Sequence, residues 1–253
     1  MKRLLLSLIM LQAAWLTLSA ADVDSLWNGA VRDYTDGQYE SALAGFTAIE
    51  EQGSVSPQLY YNIANCYYKL GHFPGKAVLY YERALKLDPS YEDAEVNLNI
   101  ARESTVDRID IVPEFILVTW AKAWRDTMSS DAWAYTALAL FLIVAVCVLV
   151  FRFGSRTALR KGAFAVAVTA LIFMVISVAF AFGLRSVQTA GDEAVVTVPV
   201  ISVKSAPGSG DQSLFILHEG TDVKVVDRLG DWTRIELSDG RQGWTENRNL
   251  ETI

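Results

Sequence analysis

Two stretches of this chain carry no charge: residues 132–151, AWAYTALALFLIVAVCVLVF, and residues 163–184, AFAVAVTALIFMVISVAFAFGL. As helices, 20 and 22 residues reach about 30 Å, the thickness of a bilayer's hydrocarbon core. Soluble domains rarely need two adjacent helices that are apolar all round. The pair therefore predicts a two-helix transmembrane hairpin, with transmembrane helix 1 over 132–151 and transmembrane helix 2 over 163–184. Between them, residues 152–162 hold Arg152, Arg156, Arg160 and Lys161 and no acid, which marks a cytoplasmic loop. Both flanks of the hairpin then lie on the opposite side. Trp120, Trp124, Trp133 and Tyr135 gather where the first span meets that outer surface, as interfacial aromatics do. Neither span contains Asp, Glu, Lys or His, the usual groups of a proton or ion pathway, so a transporter is disfavoured.

The beginning of the chain agrees with export. Lys2 and Arg3 precede the apolar run LLLSLIMLQAAWLTL and small residues follow, so residues 1–21 read as a signal peptide cut after Ala21 or Ala20. Hydrophobic types make up 52% of the 253 residues and charged types 20%, which excludes a disordered or coiled-coil protein. The charge is unevenly spread: residues 22–110 hold 15 acids against 7 bases, and residues 191–253 hold 11 against 6. Neither segment would attract a phosphate backbone, so nucleic acid is not an expected partner. Cys66 and Cys147 fall in segments of different character, which leaves no disulfide framework.

The N-terminal exported part repeats itself. Trp27/Tyr61, Asn28/Asn62, Ala30/Ala64, Tyr34/Tyr68, Gly37/Gly71 and Tyr39/Phe73 are each 34 apart. Ala42/Ala77 and Phe46/Tyr81 are 35 apart, so one residue is inserted after Phe73. Alanine permits close helix approach, glycine lets the backbone reverse, and the aromatics fill the space between helices. This pattern resembles the tetratricopeptide repeat (TPR) family. The resemblance implies α-helical repeat hairpins over residues 22–103, with YEDAEVNLNIARE as a terminal helix that caps the second copy. It also implies a concave, protein-binding groove lined by the first helix of each repeat. The candidates there are Trp27, Asn28, Val31 and Tyr34, then Tyr61, Asn62, Asn65, Tyr68 and Lys69. Asparagine can donate and accept toward an extended peptide backbone, and aromatics supply stacking area. Packing between helices is the competing role for each of them. Cys66 and His72 read as a buried thiol and a turn histidine, not as a catalytic pair.

After residue 190 the period drops to two. AVVTVPVISVKS, SLFILHEG, TDVKVVDRLG, WTRIELSDG and RQGWTENRNL are five β-rich runs separated by Gly- and Asp-rich turns, which suit a small all-β barrel. Residues 203–207 (VKSAP), 217–221 (LHEGT), 230–232 (GDW) and 240–244 (GRQGW) resemble the bacterial SH3 (SH3b) family, over residues 193–253. Trp244 and Trp232 are the candidates for its ligand face. For Trp232, which follows a tight turn and opens a strand, a core position is the stronger expectation. His218 stands without nearby partners for a metal.

Residues 104–131 form the remaining segment, an interfacial linker whose PEFILVTWAKAWRDTMSS reads as an amphipathic helix at the membrane surface. No segment is left for a catalytic domain, and the two histidines and two cysteines make no sensible nucleophilic set. The expectation is a multidomain membrane protein that is not an enzyme and needs no metal or cofactor. In order of parts it resembles the BatE-like TPR/SH3 proteins of the Bacteroides aerotolerance operon. That resemblance implies a two-pass protein of a bacterial inner membrane with both soluble domains in the periplasm. It also implies partners, namely membrane-anchored von Willebrand factor A-domain Bat proteins and a MoxR-type AAA+ ATPase, and a scaffolding role in aerotolerance or stress response. The alternative is a tether that holds peptidoglycan through the SH3b domain.

Overall fold

The computed structural model describes residues 23–109, 115–208, 210 and 212–253; the expected signal peptide lies outside the described residues. Five helices come first: α1 (residues 23–35), α2 (Tyr39–Glu51), α3 (Pro57–Leu70), α4 (Pro74–Leu87) and α5 (Glu92–Glu103). Local chemistry sets their ends. Ser56 caps α3 by accepting from the Leu59 amide, with Pro57 preset in the first turn, and Gly71 closes the helix at φ 72°. The residue inserted in the second repeat is absorbed where α4 begins, at Phe73 and Pro74.

Ala30, Ala42, Ala64 and Ala77 are all buried, and their small size sets the helix spacing. A Cβ on Gly45 would come within 2.9 Å of the Ala30 Cβ, so α1 and α2 pack almost backbone to backbone. Phe46 and Tyr81 fill equivalent positions in the two repeats, at 0% and 1% exposure. The Trp27 ring meets Phe46 edge-on at 5.4 Å.

Helix α6 (Ile116–Arg125) has no buried residue. It leads into α7 (Ser130–Phe153) and α8 (Thr157–Thr189), two helices long and apolar enough to span a membrane. They run antiparallel: the Ser130 hydroxyl donates to the Ala181 carbonyl at one end, and Phe151 packs on Phe164 at the other. Only 6% and 11% of their most apolar windows are buried in the protein, unlike the core helices of a soluble domain. Both helices continue past the uncharged runs, so only residues 154–156 connect them instead of the eleven expected. A helix can carry Arg152, Arg160 and Lys161 at its end because long basic side chains reach away from an apolar surface. Trp124 of α6, Trp133 of α7 and Phe180 of α8 meet edge to face, and the Trp133 indole donates to the Arg125 carbonyl.

The C-terminal part is one antiparallel sheet of seven strands, not five. They are β1 (Glu193–Val196), β2 (Val200–Lys204), β3 (Ser213–His218), β4 (Asp222–Leu229), β5 (Trp232–Glu236), β6 (Gln242–Glu246) and β7 (Leu250–Thr252). Their order is β3-β2-β6-β5-β4-β1-β7. The first expected run breaks into β1 and β2 at Pro199, which lacks an N–H for a ladder. The last breaks at a 3-10 turn over Asn247–Asn249. Ala194, Val196, Ile201, Val203, Leu217, Val223, Ile235 and Leu237 form the sheet's core. Strand β1 is buried on both faces: Ala194 and Val196 turn into that core, while Val195 packs into the core of the helices.

Phe46→Ala is expected to cost about 3–5 kcal/mol, because it empties a fully enclosed site between helices. A fall in the thermal midpoint of helicity for the detergent-solubilised chain is the measure. Val31→Ala, at a position 41% exposed, should leave the midpoint almost unchanged.

Candidate functional site

Helices α1, α3 and α5 turn one face each toward a shared concave surface. A cavity of about 280 Å³ opens there, lined by Tyr34, Tyr61, Asn65, Tyr68 and Lys69, together with Tyr81, Asn97 and Ile100. Five of the nine groove candidates therefore come together. The other three lining residues belong to the second helix of the repeat and to the terminal helix. That volume is at the lower edge for small-molecule sites and suits a single side chain of a bound segment.

The polar groups of the groove divide into two sets. Asn65 is buried and its Oδ1 accepts from the Tyr81 hydroxyl at 2.5 Å and from Asn97 Nδ2 at 3.1 Å. Asn97 Nδ2 also donates to the Tyr61 hydroxyl at 3.1 Å. Tyr61 in turn packs on Tyr91 at 5.1 Å and on Tyr81 at 6.0 Å. Asn62 donates to its own helix, to the Gln58 carbonyl. Tyr61 and Asn65 therefore have structural bonds that hold α3, α4 and α5 in register, while the Asn62 bond stays within α3. Burial pushes the Tyr81 and Tyr34 phenols up, so both stay neutral donors. Trp27 is occupied against Phe46, while Asn28 faces solvent.

A second set has no such commitment. Tyr68 and Ile100, 39% and 43% exposed, both line the cavity together with the exposed Lys69, and Val31 of α1 is 41% exposed. Large apolar side chains left exposed at a cavity make a patch that a partner can cover.

On the sheet, Trp232 and Trp244 are both half-buried on the outer face. The expectation of a core position for Trp232 fails on strand parity: Thr233 and Ile235 point inward, so Trp232 points out. The Lys204 ammonium sits 5.0 Å from the Trp232 ring centre, and Lys204 pairs in register with Trp244. This is a small cationic and aromatic platform.

His218 does have a partner, one the sequence did not reveal. Asp107 accepts from the His218 amide at 2.6 Å and the Thr221 hydroxyl at 2.7 Å, and its other oxygen is 2.8 Å from His218 Nδ1. Burial raises the Asp107 carboxyl, but those bonds outweigh it and hold it below its ordinary value. The Thr221 hydroxyl is bonded to Asp107 and the His218 carbonyl, not to the imidazole, so the three make a clamp without a nucleophile–base contact. Among the described residues, no group of three His, Cys, Asp or Glu could hold a metal. Burial pushes the Cys66 thiol up to about 12, so it has almost no thiolate at neutral pH.

Two outcomes are expected from these assignments. Asn65→Ala should destabilise the chain by roughly 1–3 kcal/mol, since the Tyr81 hydroxyl loses its acceptor, whereas Asn28→Ala should be near neutral. In alkylation at about pH 8, Cys66 should resist modification until denaturant is added, as read by peptide mass mapping.

No curated protein matches the chain. Residues 57–91, which span α3 and α4, match the family model of the tetratricopeptide repeat, so this stretch is a TPR, a repeat that generally mediates protein–protein interaction.

Proposed function

We propose that this chain is a non-enzymatic membrane scaffold whose TPR groove recruits a protein partner. The exposed pair Tyr68 and Ile100 at the tyrosine-lined cavity carries the reading. It offers apolar area and one cavity for an anchoring side chain, with Lys69 at the edge.

The membrane reading rests on α7 and α8 together with a contact between the flanks. The helical repeats and the sheet touch directly, since Val195 enters the repeats' core, so both must lie on one side of any bilayer that holds the hairpin. The basic connection, with Arg152, Arg156, Arg160 and Lys161, favours the cytoplasm for the hairpin's tip. The repeats and sheet are then periplasmic, on a bacterial inner membrane. Helix α6 joins the outer ends of both long helices through Trp124, and its exposed Phe115, Ile116 and Trp120 suit the lipid headgroup layer. The sheet, read as an SH3b barrel, adds a second adaptor surface. By resemblance the partners are the von Willebrand factor A-domain Bat proteins and a MoxR-type ATPase, in aerotolerance or stress response. A peptidoglycan tether is the second reading, favoured by Trp232 and Trp244 beside Lys204.

The test is a cross-linked pull-down from native membranes, comparing the unaltered chain with Tyr68→Ala/Ile100→Ala. Both positions are exposed, so the variant should keep its helicity and lose its membrane-protein partners. Retention of the same partners, or co-purification of peptidoglycan alone, would reject the groove and favour the tether. Topology is checked separately. An impermeant maleimide applied from the periplasmic side should label Gln52→Cys and Arg248→Cys and spare Arg156→Cys; labelling of Arg156→Cys alone would reverse the orientation.

A further inference from the structure

Repeats and sheet meet through charge more than through apolar contact. Lys76 pairs with Glu251 at 2.5 Å, and Arg83 donates to the Thr252 carbonyl at 2.8 Å. Lys86 donates to the carbonyls of Ala190 and Ile253. Besides Val195 and Ile253, little apolar surface joins the two modules. Such an interface has a modest hydrophobic contribution and depends on how its charges balance.

They balance poorly at one place. A cleft of about 470 Å³ between the modules is lined by five carboxylates, Glu82, Asp192, Glu193, Asp222 and Glu236, against Arg102 and Lys224. Val223, Leu237, Ser238 and Ile253 complete it. Arg102 of α5 donates to both Glu82 of α4 and Asp222 of β4, so one cation bridges two acids from two modules. The second oxygen of Asp222 is buried with no hydrogen-bond partner among the described residues. Glu193 of β1 faces the same pair. With every carboxylate ionised, this junction carries an excess of negative charge in a partly desolvated cleft.

We propose that the interface is a proton-operated latch: acidification draws the repeats onto the sheet, alkaline conditions release them, and Glu82 is the group that takes up the proton. Burial, then Asp222, pushes the Glu82 carboxyl from 4.5 up to about 7, with Arg102 opposing. Burial likewise raises Asp222. A carboxyl whose value is raised in the closed form binds its proton more tightly there than when the modules part. The closed form therefore gains stability as pH falls, fully below about 4.5, and loses it as pH rises through about 7. Water in the cleft screens the pair, whose side chains are 21% and 40% exposed, so the change from about pH 8.5 to about pH 6 is at most about tenfold in the closed-to-open ratio. Asp222 shares Arg102 with Glu82 and takes part in the same latch, whereas His218 on Asp107 lies apart from that pair and is separated from Glu82 by variants.

The experiment uses the full chain in detergent with Val195→Cys as reporter, a position with 0% exposure that opens only when the modules part. Maleimide labelling at residue 195 is followed by peptide mass mapping, and each rate is divided by that of the same chain carrying Glu82→Gln. The division cancels the reagent's own pH dependence. The expected ratio is up to about tenfold higher at about pH 8.5 than at about pH 6. A flat ratio overturns the proposal. So does a pH dependence that disappears with His218→Gln and survives Glu82→Gln. Gly75→Val supplies an independent opening, because a Cβ there would lie 2.8 Å from the Val196 carbonyl oxygen. It should label fast at both pH values with helicity retained. Slow labelling in that variant would mean that α4 and β1 do not part as units, and would equally reject the latch.

Discussion

Everything in this protein is arranged around α4, and the limiting condition is how closely other backbone can approach it. Helix α4 packs on α3 and α5 within the repeats, on β1 of the sheet, and on α8. Its Gly75 lies against the Val196 carbonyl and the Gly220 amide, with no room for a side chain. Ala77 and Ala84 are fully buried as well. Van der Waals contact at such distances is available only to residues with almost no side chain, so these three positions allow one short helix to have neighbours on every side.

The same crowding explains the charges of α4. The helix has four charged residues, and each is bonded to another element. Lys76 reaches β7, Glu82 reaches α5, Arg83 reaches β7 and Glu50 of α2, and Lys86 reaches the end of α8 and residue 253. Arg83 also lies 4.9 Å from the Tyr80 ring centre, and the Tyr80 hydroxyl donates to Glu50. Helices in ordinary repeats leave such residues in water. Here they hold the modules together, so the arrangement responds to solution conditions in a way that an apolar contact would not.

The sequence disclosed what depends on near neighbours. A period of 34, with alanine and glycine at fixed places, made the helical repeats readable, and the two uncharged runs made α7 and α8 readable. Strand positions followed from alternation, and Trp232, weighed for both the core and the ligand face, shows its use: Thr233, Ile235 and Leu237 mark the inner side. Pairings across the chain were not readable. Arg102 meets Asp222 120 residues on, and Asp107 meets His218 111 residues on. Neither carries any local mark, because a charge on a helix or in a linker looks the same whether it faces water or a distant strand. The groove illustrates a related limit. Asn65 has the donor and acceptor that a peptide would need, but Tyr81 and Asn97 occupy its oxygen, and only the packed helices could reveal that.

The long separation of α4 from β7 also orders the birth of the molecule. Lys76 and Glu251 are 175 residues apart, and both long apolar helices are synthesised between them. With the hairpin crossing a membrane, as proposed, the repeats can fold early but wait for their last neighbour until it has been inserted. A chain with only one of those helices threaded through the bilayer would leave β7 on the wrong side. Its α4 would then expose Lys76, Arg83, Lys86 and the seat for Val195. On that reading, closure of this one junction reports correct insertion, and its failure leaves a charged surface uncovered.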